Sequence, residues 1–316
     1  MDPLIILFGF GVGVLVGVTG MGGGSLMTPI LIIVFGFKPV TAVGTDLAYG
    51  AITKTVGGWR HFRQHTVNTD VSTWMAFGSV PAAVLGVYVL HALERAYGGD
   101  FDNVMITAVA IALLFTGTAV LARALFLPKL VDRERDDFVL TRAHKISAVS
   151  LGVFVGFVLG VTSAGSGSLI AVGLIMIFRL APQRVVGTDV FHAAILLWAA
   201  ALAHVVAGNV DYGLAGTILI GSLPGVWLGA RWAVQLPVAT LRTGLGIVLI
   251  GGGLGLLTKA GADIPAPVLA GAPLALLALF LGQELRRRAQ RLPATAAVTA
   301  PAAAPPAQPL ARPVVD

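Results

Sequence analysis

Two aspartates, Asp46 and Asp189, stand in apolar surroundings at the end of the same tetrapeptide, Val-Gly-Thr-Asp, at 43–46 and 186–189. A carboxylate there is costly unless it does something: it can serve ion or proton coupling, or it or the neighbouring threonine can cap a helix start. Upstream of each lies a run of small residues, Thr19-Gly20-Met21-Gly22-Gly23-Gly24-Ser25 and Thr162-Ser163-Ala164-Gly165-Ser166-Gly167-Ser168. Chain breaks of this kind free backbone amides at the start of the next helix, and those amides with the helix dipole favour an anion. Hydroxyls at Thr19, Thr45, Thr162, Ser163 and Thr188 add donors. The candidate anion-binding set is therefore Thr19, Gly20, Gly22, Gly23, Gly24, Ser25 and Thr45 in the first copy. Thr162, Ser163, Gly165, Ser166, Gly167, Ser168 and Thr188 form it in the second. The competing reading is tight helix packing through small residues, with Ser25 and Ser168 as helix caps.

Candidate ion-coupling groups are Asp46 and Asp189, with Lys54 two turns after the first and His192 three residues after the second. Each shares a helix face with its aspartate. For Lys54 the favoured reading is snorkelling to the cytoplasmic interface, and for His192 a hydrogen-bonded structural role over a proton relay. His61 and His204 read as loop-end residues, and the six histidines show no metal-ligand spacing. No metal and no cofactor is expected.

What positions these groups is a duplication. An offset of 143 residues carries Thr19 to Thr162, Pro39 to Pro182, Asp46 to Asp189, His61 to His204, Ser79 to Ser222 and Pro81 to Pro224 without a gap. The chain is 56% hydrophobic and 11% charged with mean hydropathy +0.89, far below the roughly one-quarter charged residues of soluble domains. The net charge of +6 sits in short loops between apolar runs, which argues for membrane anchoring rather than nucleic-acid binding. Cysteine is absent, so disulfides and thiolate metal sites are excluded. The opening Met1-Asp2-Pro3 carries no positive segment, so the first apolar run reads as a membrane segment rather than a cleaved leader.

Residues 4–37 are too long for one crossing and the glycines disfavour a continuous helix, so they read as a broken hairpin, with 146–180 as its copy. Helices are predicted near 42–59, 72–91 and 102–126, near 186–207, 211–233 and 240–258, and near 267–284. The predicted fold is an all-α membrane protein of two inverted-topology repeats, each a broken hairpin plus three transmembrane helices, with one extra C-terminal helix. Its divisions are 1–127, a charged cytoplasmic connector 128–145, 146–258, the extra helix with a basic end 259–291, and a disordered Pro/Ala-rich tail 292–316.

Arg286, Arg287, Arg288 and Arg291 place the C-terminus in the cytoplasm. Counting back puts the Arg231–Arg242 turn, Arg179 with Arg184, the connector and Arg60 with Arg63 on the same side. The 259–266 loop, the Gly208–Asp211 turn and the N-terminus fall outside. An odd number of crossings per half makes the second copy insert upside down.

Gly20-Met21-Gly22-Gly23-Gly24 with Asp46 downstream imitates a dinucleotide fingerprint, but it joins two apolar helices and its third glycine is out of register. No Walker lysine is present. An intramembrane serine hydrolase built on Ser166 with His192 or His204 is the enzyme alternative, weakened because the first copy has Gly23 and Tyr49 where the second has Ser166 and His192.

The pairing of Val18-Thr19-Gly20-Met21-Gly22-Gly23-Gly24 with Val43-Gly44-Thr45-Asp46, repeated in the second half, resembles the sulfite exporter TauE/SafE family, over about 4–285. The second copy departs from it with Ala164-Gly165-Ser166-Gly167 in place of Met21-Gly22-Gly23-Gly24. The resemblance implies a multi-pass inner-membrane secondary transporter of small anions such as sulfite or short organosulfonates and carboxylates. Its partners would be the anionic substrate, the lipid bilayer and a coupling proton or sodium ion, with a homo-oligomer as an option. An anion channel of the same architecture is the nearest rival.

Overall fold

The computed structural model describes residues 2–19, 23–126, 140–232 and 238–280, together with residue 282. The glycine-rich break stops the first apolar run: α1 (Pro3–Thr19) ends at the threonine and α2 (Gly24–Ile33) restarts after it. Next come α3 (Pro39–Arg63), α4 (Thr69–Tyr97) and, after one 3-10 turn, α5 (Phe101–Phe126). The second half repeats the order with α6 (Arg142–Thr162), α7 (Leu169–Gly173) continuing as a π turn through Phe178, α8 (Pro182–Val206), α9 (Tyr212–Trp232) and α10 (Val238–Lys259). A further helix, α11, covers Ala266–Phe280. Among the described residues every regular element is helical.

Local chemistry explains the ends. Pro39 and Pro182 open α3 and α8 at the first turn, where a missing N–H costs nothing. Asn68 caps α4 by accepting from Val71 N, and Asp211 does the same for Leu214 N at the start of α9. Thr141 and His144 form a capping box that begins α6 at Arg142, so residues 142–145, assigned above to the connector, are already helix. The remainder of that connector, the tail 292–316 and the arginines from Arg286 onward lie outside the described residues.

Five stretches are long and apolar enough to cross a membrane: 69–122, which contains α4 and α5 in succession, and α6, α8, α9 and most of α10. The helix expected near 42–59 is the 25-residue α3, about 37 Å at 1.5 Å per residue and long enough to cross. It falls short in apolarity because it carries Asp46 and Lys54, both buried against other helices, not facing lipid.

The helices meet through glycine seams. A Cβ on Gly9, Gly13 or Gly17 of α1 would fall 2.9, 2.4 or 2.3 Å from the carbonyl oxygen of Ile218, Ser222 or Val226 in α9. On Gly152, Gly156 or Gly160 of α6 it would fall 2.2, 2.3 or 2.5 Å from that of Met75, Ser79 or Ala83 in α4. Every partner in the second set is the 143-residue counterpart of one in the first, with the halves exchanged. Backbones this close are what small-residue spacing achieves in a membrane, where packing rather than water exclusion drives association. At the centre α3 and α8 run antiparallel: Gly50 lies opposite Leu197 and Gly58 opposite Phe191. Residues Met1–Leu274 form one compact unit, and Ala275 onward a second.

Candidate functional site

The two breaks come together. A Cβ on Gly24 would lie 2.4 Å from the carbonyl oxygen of Ser163, so the start of α2 rests directly on the residue that ends α6. Ser163 is left-handed (φ 59°), and Gly165 (φ 104°) and Gly167 (φ 95°) hold conformations that a side chain would strain. Asp46 bridges the two breaks. Thr28 Oγ1 from α2 donates to its Oδ2 at 2.6 Å, and Ser163 Oγ donates to the same oxygen at 2.8 Å. All three side chains are buried.

Several polar atoms around this bridge find no hydrogen-bond partner among the described residues: Asp46 Oδ1, the Tyr49 hydroxyl and Ser222 Oγ. Tyr49 lies beside Ser222 and within reach of the charge on Asp46, and its hydroxyl packs against Gly23, where a Cβ would fall 2.5 Å away. At the second break Ser168 Oγ and Thr116 Oγ1 are likewise unsatisfied, with Thr116 3.8 Å from where a Cβ on Gly165 would be. Each buried, unmatched hydroxyl costs about 1–3 kcal/mol, so a cluster of them marks a place suited to a polar guest.

A second charged centre adjoins the first break. Lys54 of α3 and Arg242 of α10 both lie within electrostatic range of Asp189 of α8. Arg242 also donates twice, at 3.0 and 2.8 Å, to Thr19 O, the carbonyl that closes α1. Lys259, at the other end of α10, donates to Ile32 O at the close of α2. Cations thus satisfy the final carbonyls of both half-helices, as expected at a negative dipole end.

These positions correct several expectations. Lys54 does not snorkel: it is buried to 6% exposure beside Asp189, because a carboxylate inside the bundle offers it more than the interface does. Arg242 belongs to α10 and reaches inward, not to a basic turn. His204 does lie in the last turn of α8 but is fully buried, with Nε2 2.9 Å from Gly160 O and Nδ1 3.2 Å from Asn209 Nδ2. His61 lies in the last turn of α3, 3.0 Å from Thr66 Oγ1, the counterpart position.

Capping also differs. Ser168 stands at the N-cap of α7 and Gly23 at that of α2, and neither α2 nor α7 has a side-chain cap. Ser25 falls inside the first turn of α2. Because α3 and α8 begin at their prolines, Thr45 and Thr188 lie well inside their helices. Each instead holds the start of a helix in the opposite half: Thr45 Oγ1 accepts from Asp211 N at 3.0 Å and Thr188 Oγ1 from Asn68 N at 2.8 Å.

The other expected residues are placed as follows. Thr19 and Thr162 turn their hydroxyls back to Leu15 O (2.6 Å) and Val158 O (2.7 Å). Ser25, Ser166 and Ser168 are buried at the breaks. Gly20 and Gly22 lie outside the described residues. His192 is held between Ser72 Oγ at 3.4 Å and Ser79 Oγ at 3.1 Å. With both ring nitrogens of His192 and of His204 engaged elsewhere, neither is placed to serve Ser166 as a base.

Thr28, Tyr49, Ser222, Thr116 and Arg242 were not singled out from the sequence. Two of them left a trace there: Tyr49 and Ser222 occupy the repeat positions of His192 and Ser79, so the sequence shows two equivalent polar pairs, each with one residue from either half.

A family model described as Sulfite exporter TauE/SafE matches residues 5–256. The chain is 37% identical over 257 residues to the probable membrane transporter protein YjnA of Bacillus subtilis (strain 168), covering 81% of this chain and 100% of that protein. It is 26% identical over 250 residues to the probable membrane transporter protein YdhB of the same organism, covering 77% and 94%. Similarity extends to the probable membrane transporter protein MJ0441 of Methanocaldococcus jannaschii, 28% identical over 176 residues, covering 53% and 59%. No solved structure matches the chain.

Proposed function

The chain belongs to the sulfite exporter TauE/SafE family, a multi-pass membrane protein among membrane transporters, and from that premise we propose that it is a secondary transporter of small anions. Its cargo would be sulfite or a short organosulfonate or carboxylate. The observation that carries this reading is the convergence of the two helix breaks, Gly24 against Ser163, in a buried setting rich in unsatisfied hydroxyls. Non-helical backbone at membrane depth is tolerated where it is buried in protein or lines a cavity, and half-helix starts are suited to a negative ligand. Lys54 and Arg242, beside the first break, add the positive charge an anion needs.

The anion would lie between the breaks, approached by the backbone at Gly22 to Ser25 and Gly165 to Ser168 and by the hydroxyls of the sequence-derived set. Thr19, Thr45, Thr162 and Thr188 would serve mainly by holding that framework, since their hydroxyls already bond to backbone. Alternating access would come from movement of one half against the other. The antiparallel pairing of α3 with α8 supports opposite insertion of the two halves in the inner membrane, with the C-terminus cytoplasmic. Asp46, Asp189, Lys54 and His192 are the candidate groups from which ion coupling would be drawn.

The test is a thermal-shift screen of the purified protein against sulfite, sulfoacetate, taurine, lactate and sulfate, followed by uptake of any hit into proteoliposomes. Saturable flux that an ion gradient can drive uphill is the expected result. No stabilisation and no flux with any of the five would remove the reading.

A further inference from the structure

Asp46 and Asp189 are equivalent in the repeat but not in their surroundings. Asp189 lies within electrostatic range of two basic side chains, Lys54 and Arg242, which favour a negative charge there. Among the described residues, Asp46 accepts from hydroxyl donors, Thr28 of α2 and Ser163 of the second break, both on Oδ2, and its other oxygen, Oδ1, is buried with no hydrogen-bond partner among them.

The charged and titratable groups of the surrounding elements are engaged elsewhere or are neutral. Lys54 of α3 and Arg242 of α10 are set against Asp189 of α8. His192 of α8 is held by two serines of α4. The segments α2, Gly24–Ile33, and α7 with its π turn, Leu169–Phe178, contain no titratable residue. Asp102 of α5 is at that helix's exposed start, and α9 offers Ser222. Tyr49, one turn along α3, is the titratable neighbour that feels the charge on Asp46.

We infer that Asp46, and not Asp189, is the proton-binding site that couples anion movement to the proton gradient. This rests on the anion-transport reading above and specifies its coupling ion. The step is simple: a hydronium ion gives its proton to Asp46 Oδ1 and leaves as water, an O–H bond forms, and the side chain passes from minus one to neutral. A proton needs one lone pair, which Oδ1 has to spare, whereas sodium needs a shell of several oxygens. Ionised Asp46 lies at the junction of the two breaks and repels an anion there. Protonated Asp46 does not, so proton and anion bind together and travel in the same direction. The carboxyl also ties α2 to the second break through Thr28 and Ser163, so its protonation state acts on the contact that must change as access alternates.

Two measurements decide this on the full-length protein, using whichever anion of the five-compound screen binds, with affinity and proton uptake corrected for that anion's own titration. The first is affinity against pH at constant sodium. In wild type it should weaken by about tenfold per pH unit once pH rises above the titration of Asp46. Asp46→Asn should bind with affinity independent of pH, and Asp46→Glu should restore the dependence. The second uses wild type alone, so misfolding of a variant cannot obscure it: in the pH range where affinity falls, adding the anion to unbuffered protein should take up about one proton per site. Flat affinity with no proton uptake in wild type overturns the inference while leaving anion transport standing. So does pH dependence that survives in Asp46→Asn, or affinity that follows sodium instead. Failure of all five anions to bind removes the transport reading itself.

Discussion

Trp198 Nε1 donates to Thr55 Oγ1 at 2.8 Å, and the two residues stand 143 positions apart, the offset that relates the two halves of the sequence. A bond between repeat equivalents maps onto itself when the halves are exchanged. The glycine seams and the threonine caps map onto one another in the same way, so the halves meet at α3 and α8 as reciprocal partners.

If the halves insert oppositely, as proposed, Thr69 and Tyr212, the equivalent exposed first residues of α4 and α9, should face opposite sides of the membrane. The protein has no cysteine to remove. An impermeant maleimide applied to intact cells should label Tyr212→Cys and not Thr69→Cys, which should react only after permeabilisation. Labelling of both from the same side would contradict the inverted arrangement.

The seam between α1 and α9 should tolerate no side chain. Gly13→Leu places a Cβ 2.4 Å from Ser222 O, while Gly11, on the exposed side of the same helix, has nothing within 4 Å of its would-be Cβ. Overpacking of this kind costs about 1–3 kcal/mol or more. Monodisperse yield on size exclusion should collapse for Gly13→Leu and stay near wild type for Gly11→Leu.

Gly23 and Tyr49 should be coupled. Gly23→Ala brings a Cβ to 2.5 Å from the Tyr49 hydroxyl, so it should lower the melting temperature. Tyr49→Phe removes the offending oxygen, and the double variant should recover much of the loss, a coupling of about 0.5–3 kcal/mol in a double-mutant cycle. Simple additivity would mean that the two do not meet.

Arg242 should matter beyond its charge, because its guanidinium makes two bonds to one carbonyl while standing in the field of Asp189. Arg242→Ala should raise the anion concentration for half-maximal uptake by about tenfold or more, equivalent to 1.4 kcal/mol. Arg242→Lys keeps the charge but loses the paired geometry, and should fall between the two. Wild-type kinetics in Arg242→Ala would remove this residue from the site.

Much of this protein was settled by sequence alone. Apolar length dictated membrane-crossing helices, glycine runs dictated where two of them break, and the 143-residue offset dictated that whatever one half does the other does in related form. Apolar length and glycine runs begin as local properties, but glycine alone does not end a helix: Gly251-Gly252-Gly253 stays helical inside α10, so the interruption between α1 and α2 also draws on its setting. What only the tertiary structure decided is which polar groups meet. Thr45 and Thr188 look like caps of their own helices, yet they hold the opposite half, since α3 and α8 begin earlier at their prolines. Asp46 and Asp189 have the same sequence context and different electrostatics, because Arg242 and Lys54 reach one of them across helices far apart in the chain. A duplicated motif specifies equal backbones; the charge around each copy comes from non-local neighbours, and those need not be duplicated.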